Sequence, residues 1–192
     1  MTMTSAARMQ LEDLIRCAGL GDLQSFQELY DLTATRVLGL ARAIVIDRSA
    51  AEDVTHDAYL EIWRRAPQYD AAASPAMPWI VTITHARAVD HVLRSEQARR
   101  KATAKARAAQ DVAASDQVIH AVSAQGEHDA RLQAALLTLT WQQREAIQLL
   151  YWGGLTGPEA SQVLNIPFPT FKARLRDAMV SLRTADLRKF LQ

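Results

Sequence analysis

Cysteine is nearly absent from this chain of 192 residues: Cys17 stands alone, which excludes an internal disulfide and any multi-cysteine metal site. Glycine is scarce as well, with seven residues where a sheet protein needs many for its turns, and alanine is abundant; both favour an all-α fold. No uninterrupted apolar run approaches a membrane span, and the N-terminus lacks the apolar core of a signal peptide, so a cytoplasmic location is expected. Excess charge is missing too, since 22 Lys and Arg against 21 Asp and Glu leave a net +1. Any nucleic-acid contact must therefore come from local clustering. The five histidines, His56, His85, His91, His120 and His128, have no ligand spacing on one helix face. There is no glycine-rich phosphate loop and no nucleophile with a base in sequence reach, so neither an enzyme, a metal, a cofactor nor a small-molecule substrate is implied.

What is present is helical periodicity, most informatively from Leu155 to Arg183. Thr156 and Glu159 form a capping box that starts one helix, Pro158 is tolerable in its first turn, and Asn165 suits the left-handed end. A second helix then repeats Phe168, Phe171, Leu175, Ala178 and Leu182 at spacings of three and four, one buried stripe. Its outer face carries Thr170, Lys172, Ala173, Arg174, Arg176 and Asp177. Short polar residues and cations on the second helix of such a pair are what a helix-turn-helix offers the major groove. An ordinary hairpin with a solvated basic face has the same pattern.

Upstream, residues 1–8 read as a disordered tail, and 9–97 as an N-terminal helical domain. Its helices run from about Met9 to Ala18, from Asp22 to about Ile46 with Phe26, Tyr30, Thr33, Val37, Leu40 and Ile44 inward, and from a Ser49–Glu52 capping box to about Ala66. On the third of these, Asp53, Asp57 and Glu61 recur every fourth residue beside Leu60, Trp63 and Arg64. Exposed acid next to exposed apolar groups suggests a partner surface, although a solvated face with Glu61 and Arg65 paired fits equally. A proline-containing loop, Pro67 to Met77, holds Tyr69 and Asp70; a helix from Pro78 to about Gln97 follows with Trp79 at its start, Ile83, Ala86, Val89 and Leu93 inward, and Thr84, Arg87, His91 and Arg94 as a polar, basic stripe. Such a stripe beside exposed aromatics suits unpaired nucleic acid, with bases stacked and phosphates neutralised. Residues 98–127 lose the apolar stripe and read as a basic, flexible linker, and 128–192 as a C-terminal domain with a helix from Ala130 to Leu139, a Thr140–Gln143 capping box and the helix-turn-helix.

With these segments laid out, the chain resembles the extracytoplasmic-function (ECF, group IV) sigma factors of bacterial RNA polymerase. AEDVTHDAYLEIWRRA is similar to the family's polymerase-binding helix, PWIVTITHARAVDHVLR to its promoter-melting helix, and LTWQQREAIQLLYWGGLTGPEASQVLNIPFPTFKARLRDAMVSLR to its upstream-element reader. The resemblance implies two small helical domains joined by a flexible linker, with core RNA polymerase and promoter DNA as partners. It assigns polymerase docking to Asp53, Asp57, Leu60, Glu61, Trp63 and Arg64, and the melted minus-10 element to Tyr69, Asp70, Trp79, Thr84, Arg87, His91 and Arg94. The minus-35 element falls to Thr170, Lys172, Ala173, Arg174, Arg176 and Asp177, and the linker to the polymerase's active-site and RNA-exit channel. The family commonly works under an anti-sigma factor, often membrane-anchored. Thr140 and Trp141 replace a frequent proline, Pro169 a usual glycine, Gly157 and Pro158 a more helix-favouring pair, and Asp177 a frequent cation. The rival is a LuxR-type helix-turn-helix regulator, which usually carries an α/β sensor domain; the first half here has no strand signal.

Overall fold

The computed structural model describes residues 5–45, 47–109, 135–136 and 138–190, with side chains within 9–45, 47–103, 135–136 and 138–184. Seven α-helices occur among them: α1 Ser5–Gly19, α2 Leu23–Ile44, α3 Arg48–Arg65, α4 Ala76–Ala109, α5 Trp141–Tyr151, α6 Gly157–Val163 and α7 Phe168–Phe190, with a 3-10 turn at Ala66–Gln68. No strand is found among the described residues, as an all-α fold requires. Residues 1–4 of the expected tail, 110–127 of the expected linker and most of the expected helix at Ala130 to Leu139 lie outside the described residues.

Local chemistry explains where the helices begin. Asp22 caps α2 by accepting from the Gln24 backbone N–H at 3.0 Å. At α3 the expected Ser49–Glu52 box is replaced by Asp47, whose carboxylate accepts from Ala50 N at 2.7 Å, while Glu52 turns to Arg48 at 3.2 Å. A carboxylate at the N-cap outcompetes a hydroxyl because it also meets the positive end of the helix dipole. Other boundaries also differ from the sequence reading. α1 begins at Ser5, not Met9, and α4 runs past Gln97 to Ala109, into the expected linker. Apart from Thr103 the extension consists of Ala, Arg and Lys, all good helix formers, and Arg100 reaches back one turn to Glu96 at 3.7 Å.

Helices α1 to α4 pack around Leu11, Ile15, Leu29, Val37, Leu40, Ile62 and Ile80, each at most 2% exposed. The close approach of α1 to the end of α3 depends on Gly19, where a Cβ would fall 2.8 Å from the Ala66 carbonyl. Leu93, expected inward, is 53% exposed, because α4 outruns the helices it packs on.

The C-terminal helices do not stand apart. Ala146, Leu149, Leu155, Ala160 and Phe171 belong to the same apolar cluster as the N-terminal helices, with α5 seated on α2 and α6 on α4. Gln148, 1% exposed, donates across the joint to the Ala43 carbonyl. The Trp152 indole lies against Gly39, where a Cβ would sit 3.2 Å from the ring. The two domains expected from sequence thus share an apolar cluster, because α5 presents residues both to α7 and to α2, while Leu136, Leu139 and Ala178 form a second, smaller cluster.

Candidate nucleic-acid and protein interface

The outer face of α3 divides in two. Asp53, Asp57, Leu60 and Arg64, spaced four, three and four apart, are all exposed and form one stripe. Trp63 is half-buried, its ring edge-on to Phe26 at 4.9 Å between centroids. Glu61 departs from the expected exposed stripe: four residues of a 3.6-residue turn carry it about 40° around the helix from Asp57, toward α4. Its side chain is 11% exposed and meets Arg65 Nε at 2.5 Å, Arg87 Nη2 of α4 at 2.9 Å and Arg64 Nη1 at 3.2 Å. The Arg65 hydrogen bond first, then the charges of Arg87, Arg65 and Arg64, hold its carboxyl below the ordinary range against the opposing effect of desolvation.

The loop between α3 and α4 is ordered by its own polar groups. Tyr69 donates its hydroxyl to the Ser74 carbonyl at 3.0 Å, and Asp70 accepts from Ala72 N at 2.9 Å. Desolvation, with the Glu12 and Asp70 charges, pushes the Tyr69 hydroxyl up to about 12, so it remains a donor at neutral pH. The Tyr69 ring tilts over Trp79, half-buried at the start of α4, with centroids 5.0 Å apart. Along α4 the expected stripe loses a member. Thr84 is fully buried and donates to the Ile80 carbonyl at 2.9 Å, so its hydroxyl is spent inside the helix bundle. Arg87 and His91 are half-buried, and Arg94 is exposed beside Asp90 at 2.9 Å.

In the C-terminal unit, Thr140 caps α5 with a reciprocal bond to Gln143. Glu159 accepts from Thr156 N at 2.7 Å and from its hydroxyl at 2.6 Å, the capping box that starts α6. Asn165 takes the left-handed turn at φ 50°, which aims α7 across α6. Phe171 and Ala178 are buried, whereas Phe168, expected in the same stripe, is 40% exposed with Lys172 Nζ 5.8 Å above its ring. Thr170, Lys172, Arg176 and Asp177 are exposed; Ala173 is half-buried. Arg176 and Asp177 pair at 3.4 Å on the surface, a contact weak enough to exchange for another partner.

Arg174 is the exception on α7. Only 25% of its side chain is exposed, and its guanidinium lies 3.9 Å from Glu145 of α5. The other oxygen of Glu145 lies 3.0 Å from His85 Nε2 of α4. Neither His85 nor Glu145 was singled out from sequence, because a pair sixty residues apart leaves no local pattern; Arg65 had shown only its helical spacing from Glu61. No group of three or more potential ligands that could hold a metal ion occurs among the described residues. No described helix is long and apolar enough to cross a membrane.

Comparison with known proteins accounts for both halves. The Sigma-70 region 2 family matches residues 29–100, which hold α3, the ordered loop and the basic face of α4. Sigma-70 region 4 matches residues 129–182, which hold the helix-turn-helix. The ECF RNA polymerase sigma factor SigK of Mycobacterium bovis (strain BCG / Pasteur 1173P2) is 39% identical over 183 residues, covering 94% of this chain and 97% of SigK. SigK of Mycobacterium ulcerans (strain Agy99) is 40% identical over 173 residues, covering 90% and 91%. Among solved structures, CnrH in complex with the cytosolic domain of CnrY superposes with TM-score 0.68 at 21% identity, over 92% of this chain and 96% of that one. The sigma factor RpoE of Bartonella quintana, in complex with the anti-sigma factor NepR, gives TM-score 0.60 at 19% identity, over 84% and 96%. These likenesses carry the fold, and the region 2 match fills the half where a LuxR-type regulator would place its sensor. With both regions matched in order and relatives aligned over nearly its whole length, this chain belongs to the ECF sigma factors, which direct promoter-specific initiation by bacterial RNA polymerase.

Proposed function

We propose that the protein docks on core RNA polymerase through the exposed stripe of α3, captures the unpaired minus-10 strand with the loop and basic face of α4, and reads the minus-35 element with α7. The observation that carries this reading is the separation of three surfaces of distinct chemistry on one chain. Asp53, Asp57 and Leu60 offer acid and apolar area to a basic protein partner. Tyr69 and Trp79 offer a stacking platform at the head of a helix whose Arg87, His91 and Arg94 meet phosphates. Unpairing costs a few kcal/mol per base, and capture of an extruded base offsets it without nucleotide hydrolysis. Thr170, Lys172, Ala173 and Arg176 face the major groove, with Asp177 selecting against some bases by repulsion from acceptor edges.

Glu61 and Thr84 support these surfaces from within rather than touching either partner. An anti-sigma factor covering the α3 stripe would block docking, in keeping with the complexes that CnrH forms with CnrY and RpoE with NepR.

Run-off transcription with purified core RNA polymerase on a library of genomic promoter fragments tests the proposal. Specific transcripts that appear only when the protein is added are expected. Tight promoter binding by the protein alone, with no polymerase-dependent transcript, would refute it.

A further inference from the structure

Glu61 of α3 stands at the centre of a cluster of charge. One carboxylate holds three guanidiniums: Arg65 at 2.5 Å, Arg87 at 2.9 Å and Arg64 at 3.2 Å. A single guanidinium neutralises a carboxylate. The second and third leave the cluster with two surplus positive charges, whose mutual repulsion an external anion relieves. The carboxylate is inside, at 11% side-chain exposure, while the cations point outward at 67% for Arg64, 57% for Arg65 and 33% for Arg87. Each guanidinium has five N–H donors in a fixed fork, so most remain available after the contact with Glu61.

Position decides the anion. Arg65 ends α3 four residues before Tyr69, and Arg87 begins the stripe that continues through His91 and Arg94. The cluster therefore joins the end of α3, which leads into the stacking loop, to the cationic face of α4 through the Glu61–Arg87 contact. We propose that Arg64, Arg65 and Arg87, gathered on Glu61, form a binding site for phosphates of the unpaired promoter strand, with Glu61 as its positioning residue. This deepens the minus-10 capture proposed above and rests on it. It brings in Arg65, moves Arg64 toward DNA and makes Glu61 an internal anchor that fixes three flexible side chains before the strand arrives.

The test uses full-length protein with core polymerase and a promoter fragment whose minus-10 segment is mismatched, so that opening is not required. Arg65→Ala should leave core binding unchanged, weaken the promoter complex at low salt, and flatten the salt dependence by about 0.7 in the log–log slope, the share of one single-strand phosphate. Raising salt from about 50 to about 200 mM would then weaken its complex roughly threefold less than the wild type's. Glu61→Gln raises the surplus charge yet removes the anchor, so it should weaken the promoter complex, and Glu61→Asp should restore part of it; tighter binding by Glu61→Gln would mean that charge alone acts and would overturn the positioning role of Glu61. Should the Glu61 variants misfold, exposed Arg65 still decides. An unaltered salt slope for Arg65→Ala overturns the proposal, as does a loss of core binding, which would make Arg65 a polymerase contact. Failure of the wild type to direct initiation would instead strike the minus-10 reading on which this rests.

Discussion

Thr84 and Asp57 show how a few degrees around a helix separate a structural residue from a surface one. Thr84 shares its spacing with Arg87 and His91, yet it sits where α4 packs on its neighbours and its hydroxyl bonds to Ile80. Thr84→Val keeps the shape and removes that bond. Its effect on thermal stability should stay within about 1 kcal/mol, with promoter opening unchanged; a large loss of opening at unchanged stability would return Thr84 to the DNA face. Asp57 is exposed and carries no partner role in the fold comparable to that of Glu61. Asp57→Arg should reduce competition for core polymerase roughly tenfold, about 1.4 kcal/mol, and leave the melting temperature unmoved. Unaltered binding would remove the α3 stripe from the docking surface.

At the scale of elements, what could be read from sequence was whatever is local. The Thr156–Glu159 and Thr140–Gln143 boxes and the turn at Asn165 need only neighbours in sequence, and all three stand in the structure. Ser49 and Glu52 matched the same template, but Asp47 two residues earlier took the cap and Arg48 took the glutamate. Asp47→Ala should therefore cost about 0.5 to 2 kcal/mol in denaturant unfolding, and Ser49→Ala far less; the opposite order would restore the sequence assignment. Glu61 is buried and Leu93 exposed for a different reason: spacing gives a face, while burial depends on which neighbour reaches that far along the helix. On α7, the exposed Arg176 should behave as a base contact. Arg176→Ala is expected to lower affinity by about 1 to 3 kcal/mol at one position of the upstream element, measured by binding across a panel of point-substituted promoters. A uniform loss over the panel would make it a phosphate contact instead.

For the whole molecule, sequence patterning indicates two units, and the larger apolar cluster draws residues from both. Gln148 on Ala43, Trp152 against Gly39 and Glu145 between His85 and Arg174 are contacts that no sequence window spans. They set α4 and α7 against a single carboxylate, with Arg174, which the family resemblance assigns to the minus-35 element, turned to Glu145 instead. Elements centred 25 base pairs apart on B-form DNA are roughly 85 Å apart at 3.4 Å per step. On the proposed reading, the polymerase sets the distance between the C-terminal helices and α4. The spacing of the two elements is thus the most direct measure of the account. In run-off transcription with core polymerase, inserting about five base pairs, half a helical turn, between the elements should abolish the specific transcript while leaving polymerase binding by the protein intact. A transcript of undiminished strength from the lengthened promoter would contradict two-element reading by a single chain.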